Sequence, residues 1–167
     1  MADYALKVQT PAVSFIVGLA GSGKSSLLNN LVYDVVFEEG FWLDEEHYER
    51  HHAQLVRFLF EGKHCIVVER RFMGATERTS YEAKLKNDVP HLQVNWFFFE
   101  KNLENANHNC RSRPPKPMDP TGEAHVAQNS GDDGRYSVPD DGVVIKIHRW
   151  PTLAAYEAAA HLHQIGE

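Results

Sequence analysis

Cysteine is scarce in this chain: of 167 residues only Cys65 and Cys110 are cysteine, too few for a disulfide framework or a zinc site built of thiolates. Both are expected to be reduced thiols. Long apolar runs are missing as well. The most apolar stretch, Ala12 to Ala20, is broken by Ser14 and Gly18 and is far shorter than the roughly 20 residues a spanning helix needs. That excludes a membrane-spanning segment there. The first ten residues hold Asp3 and no basic segment leading into an apolar one, so no secretory or organellar leader is visible and a cytoplasmic protein is expected. No repeat of fixed period appears.

An excess of positive charge is lacking too. Lys and Arg number 17 against 23 Asp and Glu, a net charge of −6, which argues against nonspecific binding to nucleic acid. The charge is unevenly spread. Residues 62–116 carry 10 basic and 6 acidic side chains, whereas residues 1–61 carry 4 and 9 and residues 117–167 carry 3 and 8. A basic zone inside an acidic protein suits a cleft that gathers an anionic ligand, and a solvated helix face would give the same count. With 43% hydrophobic and 24% charged residues the composition is that of a globular chain, read as a single domain over residues 1–167.

What is present is an alternation of short strands and helices. Val13 to Val17 is an apolar, β-branched-rich run ended by Gly18, as expected of a strand buried on both faces of a parallel sheet. Leu27, Leu28, Leu31 and Val35 then recur at helical spacing, predicting a first helix of about four turns. Phe41 to Leu43 reads as a second strand, and Asp44, Glu45 and Glu46 as the start of a helix that runs to about Glu61 before Gly62. His64 to Glu69 is the expected third strand, Thr76 to Asn87 the third helix, and Leu92 to Glu100 a fourth strand rich in aromatics. Val143 to Ile147 supplies a fifth strand and Pro151 to Ile165 a closing helix. Between Arg111 and Gly142 lie five prolines and four glycines with almost no apolar periodicity, the pattern of a mobile lid or binding loop. The sum is a three-layer α/β fold with a mostly parallel five-stranded sheet and a lid over about residues 111–142.

One motif carries chemistry. Gly18-Leu19-Ala20-Gly21-Ser22-Gly23-Lys24-Ser25 matches the phosphate-binding pattern G-x-x-x-x-G-K-[ST] and sits between a buried strand and a helix start, where its mechanism requires it. Backbone N–H groups along Gly18, Gly21, Ser22, Gly23, Lys24, Ser25 and Ser26 would surround phosphate oxygens. Lys24 would reach the terminal phosphates, and the Ser25 hydroxyl would face Mg²⁺. Phosphoryl transfer further needs an acid near the acceptor and cations over the phosphates. Asp44, after the second expected strand, is either a general base or only the cap of the following helix. Glu69 is the alternative acid, as base or as a partner of Mg²⁺ through water, its structural reading being a surface acid paired with Arg70 or Arg71. Arg111 and Arg113, at the base of the lid, could neutralise charge on the transferred group. Arg70, Arg71 and Arg78, and Arg135 further along, are candidates for holding an anionic acceptor. His47 and His51 flank Glu49, but the spacing is not the H-E-x-x-H of zinc proteases, and the run Trp96 to Phe99 reads as core strand.

These residues resemble the small P-loop kinases, and within them the branch similar to the phage polynucleotide kinase domain. Beyond the phosphate loop, Asn107-His108-Asn109-Cys110-Arg111-Ser112-Arg113 looks like that branch's lid segment. Arg135-Tyr136-Ser137-Val138-Pro139 with Asp141-Gly142 is similar to the stretch before its last strand. The resemblance implies strand order 2-3-1-4-5, an ATP-dependent kinase using Mg²⁺, Asp44 as general base, and Arg111 and Arg113 as lid arginines. Glu45, Glu46 and His47, where the branch tends to carry an acceptor-binding Arg, and Glu69-Arg70-Arg71-Phe72 in place of an Asp-Thr-Asn-like stretch, depart from it. The expected acceptor is therefore a nucleoside, a nucleotide, another small hydroxyl compound or a nucleic-acid 5′-hydroxyl. No obligate protein partner and no membrane are implied. The reading from another class is a nucleotide-binding regulator or simple NTPase that transfers nothing.

Overall fold

In the computed structural model residues 10–38 and 44–150 are described. Five parallel strands form one sheet in the order β2-β3-β1-β4-β5, with β1 at Ala12–Val17, β2 at Val35–Phe37, β3 at His64–Val68, β4 at Gln93–Phe99 and β5 at Val143–Ile145. Around the sheet lie α1 (Lys24–Leu28), α2 (Glu45–Phe60), α3 (Ala75–Asp88), α4 (Leu103–Ser112) and α5 (Glu123–Asp133), with a 3₁₀ turn at Arg70–Met73. This is the expected α/β architecture in the expected strand order.

Parallel pairing explains why β1 and β3 are nearly continuous apolar runs. Strands covered on both faces have no solvent side on which to place polar residues. Phe15 on β1 stands opposite Val67 on β3 and Trp96 on β4. Its ring stacks on Trp96 at 4.2 Å between centroids and meets Phe72 edge-on at 5.2 Å. Phe15, Ile16, Leu55, Leu59, Ile66 and Leu85 are all fully buried, so the core runs along the central strands. Trp96 to Phe99 belong to β4 and pack on this core.

Two local expectations are corrected. The first helix is five residues long rather than four turns: Asn29 caps it and the Asn30 amide donates to Ser26 O. Asparagine competes for backbone hydrogen bonds and ends helices. The chain then turns, so Val35, which helical spacing had joined to Leu31, begins β2 and pairs with Cys65 on β3. The strand neighbouring β3 is thus Val35–Phe37; the stretch Phe41 to Leu43 lies outside the described residues, as does Pro151 to Ile165.

The stretch 111–142 is the second correction, because it holds α5. Apolar periodicity was silent there since the helix is held by polar side chains. Asn129 is fully buried, its amide closing on both backbone groups of Ala20, and buried Asp132 takes two hydrogen bonds from Arg70 and one from Arg135. Tyr136, just beyond, donates from its buried hydroxyl to Phe99 O at 2.6 Å and Val17 O at 3.2 Å, at the carboxyl ends of β4 and β1. These contacts tie the segment to the sheet and to the loop after β1.

Candidate active site

In an open parallel sheet the ligand crevice lies beyond the carboxyl ends of the strands, where successive connections leave in opposite directions. Here that place is the end of β1, between β3 and β4, and the loop from Gly18 to Ser25 occupies it. Gly21 and Gly23 have φ of +82° and +108°, a region L side chains rarely adopt. A Cβ on Gly21 would also lie 2.2 Å from Ala106 O on α4. Both glycines are therefore structural requirements of the turn. Lys24 Nζ lies over the loop, donating to Gly18 O at 2.8 Å and Leu19 O at 2.9 Å. The Ser22 hydroxyl is buried and has no hydrogen-bond partner among the described residues, whereas buried hydroxyls are ordinarily paired. Glycine-opened backbone and a lysine beside the cavity together fit an anionic oxygen ligand.

The loop forms one wall of a cavity of about 590 Å³, within the range of small-molecule and cofactor sites. Gly21, Gly23, Lys24, Ser25 and Ser26 line it from the loop and α1, and Glu38 lines it from the end of β2. Arg113, Pro114, Lys116 and His125 line it from the stretch between α4 and α5 and the start of α5, and Trp150 from beyond β5. Asn109 braces this corner: its amide donates to Gly21 O and His148 O, and its carbonyl accepts from Trp150 N. Behind the loop, burial pushes the Cys110 thiol above its ordinary value, so it stays protonated.

The structure sorts the sequence-derived candidates. Arg113, the residue that caps α4, reaches the cavity and is held by Asp119. Arg111 is exposed and forks onto Glu123 outside the lining. Asp44 caps α2, accepting from His47 N at 2.8 Å, and that bond together with the His47 ring holds its carboxyl below the usual range. It too is absent from the lining, and β2 ends seven residues before it. The acid at the end of that strand is Glu38, exposed and in the cavity wall; misplacing β2 is what hid it. Glu69 is buried and caps the 3₁₀ turn through Arg71 N, next to the lining residue Val68.

None of the four arginines proposed for an acceptor lines the cavity. Arg70 and Arg135 are committed to Asp132, and Arg71 lies over the Tyr48 ring at 4.5 Å. Arg78 is buried, donates to Phe72 O, Met73 O and Ser137 Oγ, and covers the Phe98 ring. Its ties make it a structural brace, which its isolated position in the sequence could not reveal.

With this geometry in place, comparison with known proteins bears on the fold. No protein-family model matches the chain, and no curated protein matches it. Among solved structures, a candidate kinase from Chloroflexus aurantiacus J-10-fl aligns over 95% of this chain and 98% of its own, with a TM-score of 0.51 and 15% identity. The mostly parallel five-stranded α/β fold is shared with that structure. A second similar structure, from the PezAT chromosomal toxin–antitoxin system of Streptococcus pneumoniae, covers 85% of this chain and 71% of that one at 12% identity and a TM-score of 0.40. At 15% identity the likeness to the first of these concerns the fold alone. No described helix is long and apolar enough to cross a membrane.

Proposed function

We propose that the protein is an ATP-dependent kinase that moves the γ-phosphoryl group of ATP to a hydroxyl or phosphate acceptor. One observation carries this reading: the phosphate loop with Lys24, the lid cation Arg113 and the carboxylate Glu38 line one cavity, from three separate parts of the chain. Transfer of a phosphoryl group calls for alignment and charge neutralisation more than covalent chemistry. The loop amides and Lys24 bind and orient the β and γ phosphates, and Arg113 offers a guanidinium to charge on the transferred group. Glu38 would accept the acceptor's proton, the role that the resemblance implies for Asp44. Mg²⁺ would be held by Ser25 and the nucleotide itself, with Glu38 or Glu69 acting through water, and would supply further neutralisation of phosphate charge. Among the described residues no group of three or more His, Cys, Asp or Glu is arranged to hold a metal, and Mg²⁺ in such sites needs no cage of that kind.

The lining does not select among acceptors: a nucleoside, a nucleotide, another small hydroxyl compound and a polynucleotide 5′-hydroxyl are each candidates. The test is an ATP-consumption screen over nucleosides, nucleotides, small polyols and a 5′-hydroxyl oligonucleotide, beside calorimetry with Mg·ATP. Lys24→Ala should abolish binding, Glu38→Gln should cut turnover at least a hundredfold with binding kept, and Asp44→Asn should leave turnover near normal. ATP binding without turnover on any acceptor would refute the kinase and favour a nucleotide-binding regulator.

A further inference from the structure

A second constellation lines the same cavity and has no part in the phosphate-loop motif. Asp119 is 4% exposed and gathers donors from two sides. Its Oδ1 accepts from Ala124 N at 3.1 Å, and its Oδ2 from His125 N at 3.2 Å and Arg113 Nη2 at 2.9 Å. The His125 ring meets the same oxygen through Nδ1. Because Asp119 is an acceptor on both oxygens, the proton of the His125 ring is assigned to Nδ1, donated to the carboxylate. Nε2, across the ring, then has no partner among the described residues, although His125 lines the cavity. Arg113 Nη2 lies 2.7 Å from His125 Nδ1, and Arg113 Nε is buried with no hydrogen-bond partner among the described residues. One carboxylate thus fixes two nitrogen-bearing side chains and leaves a nitrogen of each uncommitted.

We propose that His125 is a phosphate-binding residue of this site, its Nε2 hydrogen-bonding a terminal phosphate oxygen of the bound triphosphate, and that Asp119 is the positioning residue that orients it beside Arg113. The inference rests on the nucleotide-binding reading above. Its ligand is the polyphosphate rather than the base, so inorganic tripolyphosphate should be recognised through the same contact. Donating from Nδ1 to Asp119 and from Nε2 to the phosphate at once requires a proton on each ring nitrogen, so binding takes up one proton from solvent onto Nε2.

Amide side chains separate the two ring nitrogens experimentally. Asparagine places its amide near Nδ1 and can keep the Asp119 contact, whereas glutamine reaches the place of Nε2 and can keep the phosphate contact. Calorimetry with Mg·ATP and with tripolyphosphate should show His125→Asn weakened about tenfold to a hundredfold, the range for one hydrogen bond to a charged group, and His125→Gln within about threefold of the wild type. In the wild-type chain, the ¹⁵N resonance of His125 Nε2 should shift on titration with tripolyphosphate, a readout that a purely structural histidine would not give and that needs no variant to fold. Equal affinity in His125→Asn and wild type, equal loss in both variants, or an Nε2 resonance that does not move would each overturn the role of His125. If in those cases Lys24→Ala still loses ATP, the nucleotide-binding reading survives. Wild-type protein that binds neither ligand overturns both.

Discussion

Replacing Asn129 by alanine tests whether α5 is bolted to the phosphate loop. The Asn129 side chain is fully buried, accepts from Ala20 N at 2.8 Å, and donates to Ala20 O at 2.9 Å and to Asn107 Oδ1 at 3.0 Å. Ala20 is itself only 6% exposed, so truncation leaves its amide and carbonyl without the partner that satisfied them. A buried donor or acceptor stripped of its partner costs about 1–3 kcal/mol, the carbonyl less than the N–H because it has a second lone pair. The loss of stability should therefore be about 2–4 kcal/mol, a large share of the roughly 5–15 kcal/mol of a typical domain. Urea denaturation measures it as a lower midpoint at an unchanged slope. Asn129→Asp is the companion. It keeps the oxygen that accepts from Ala20 N but turns a carboxylate oxygen on Ala20 O and Asn107 Oδ1, so it should be no more stable than the alanine variant. Since Ala20 lies within the phosphate loop, both variants should also bind Mg·ATP more weakly while folded. An alanine variant within about 0.5 kcal/mol of wild type, below the cost of even one orphaned buried amide, would refute the tether.

Arg78→Met should lower stability by about 2–3 kcal/mol in the same assay, because it strips a charged donor from two buried carbonyls; a large loss of ATP affinity at full stability would instead restore Arg78 as a ligand-binding residue. Asp119 is held down to about 2, first by the His125 hydrogen bond and also by the Ala124 and His125 amides. Its folded value lies below its unfolded one, so its contribution is present above about pH 4 and is lost as pH falls toward 2. Hydrogen exchange of α5 should accordingly accelerate across that window in wild type and show no such step in Asp119→Asn. Burial raises the Cys65 thiol to about 12 and the Cys110 thiol in the same direction, so neither should react with iodoacetamide at pH 8 in the folded protein, and both should react in urea.

Contiguous features were legible in the sequence for a physical reason: their chemistry is local. The loop Gly18 to Ser25 is eight successive residues whose turn follows from backbone freedom at Gly21 and Gly23 and whose shape is closed by Lys24. The strands Ala12–Val17, His64–Val68 and Gln93–Phe99 announce themselves as apolar runs because both their faces are covered. The alternation of such runs with helices is enough to imply a parallel sheet. Tertiary structure decided the rest. Val35–Phe37 is a strand only because β3 lies beside it; taken alone, Val35 continues the spacing of Leu27, Leu28 and Leu31. With β2 misplaced, Glu38 could not be seen as the acid at a strand's end. The helix Glu123–Asp133 buries Asn129 and Asp132 instead of an apolar stripe, so hydrophobic periodicity has nothing to report. Arginines are alike in sequence, and only their distant partners separate them: Asp132 takes Arg70 and Arg135, Glu123 takes Arg111, and Asp119 turns Arg113 and His125 toward the cavity. Backbone conformation and burial of whole segments are properties of neighbouring residues, whereas the role of a charge is set by whichever opposite charge the folded chain brings to it.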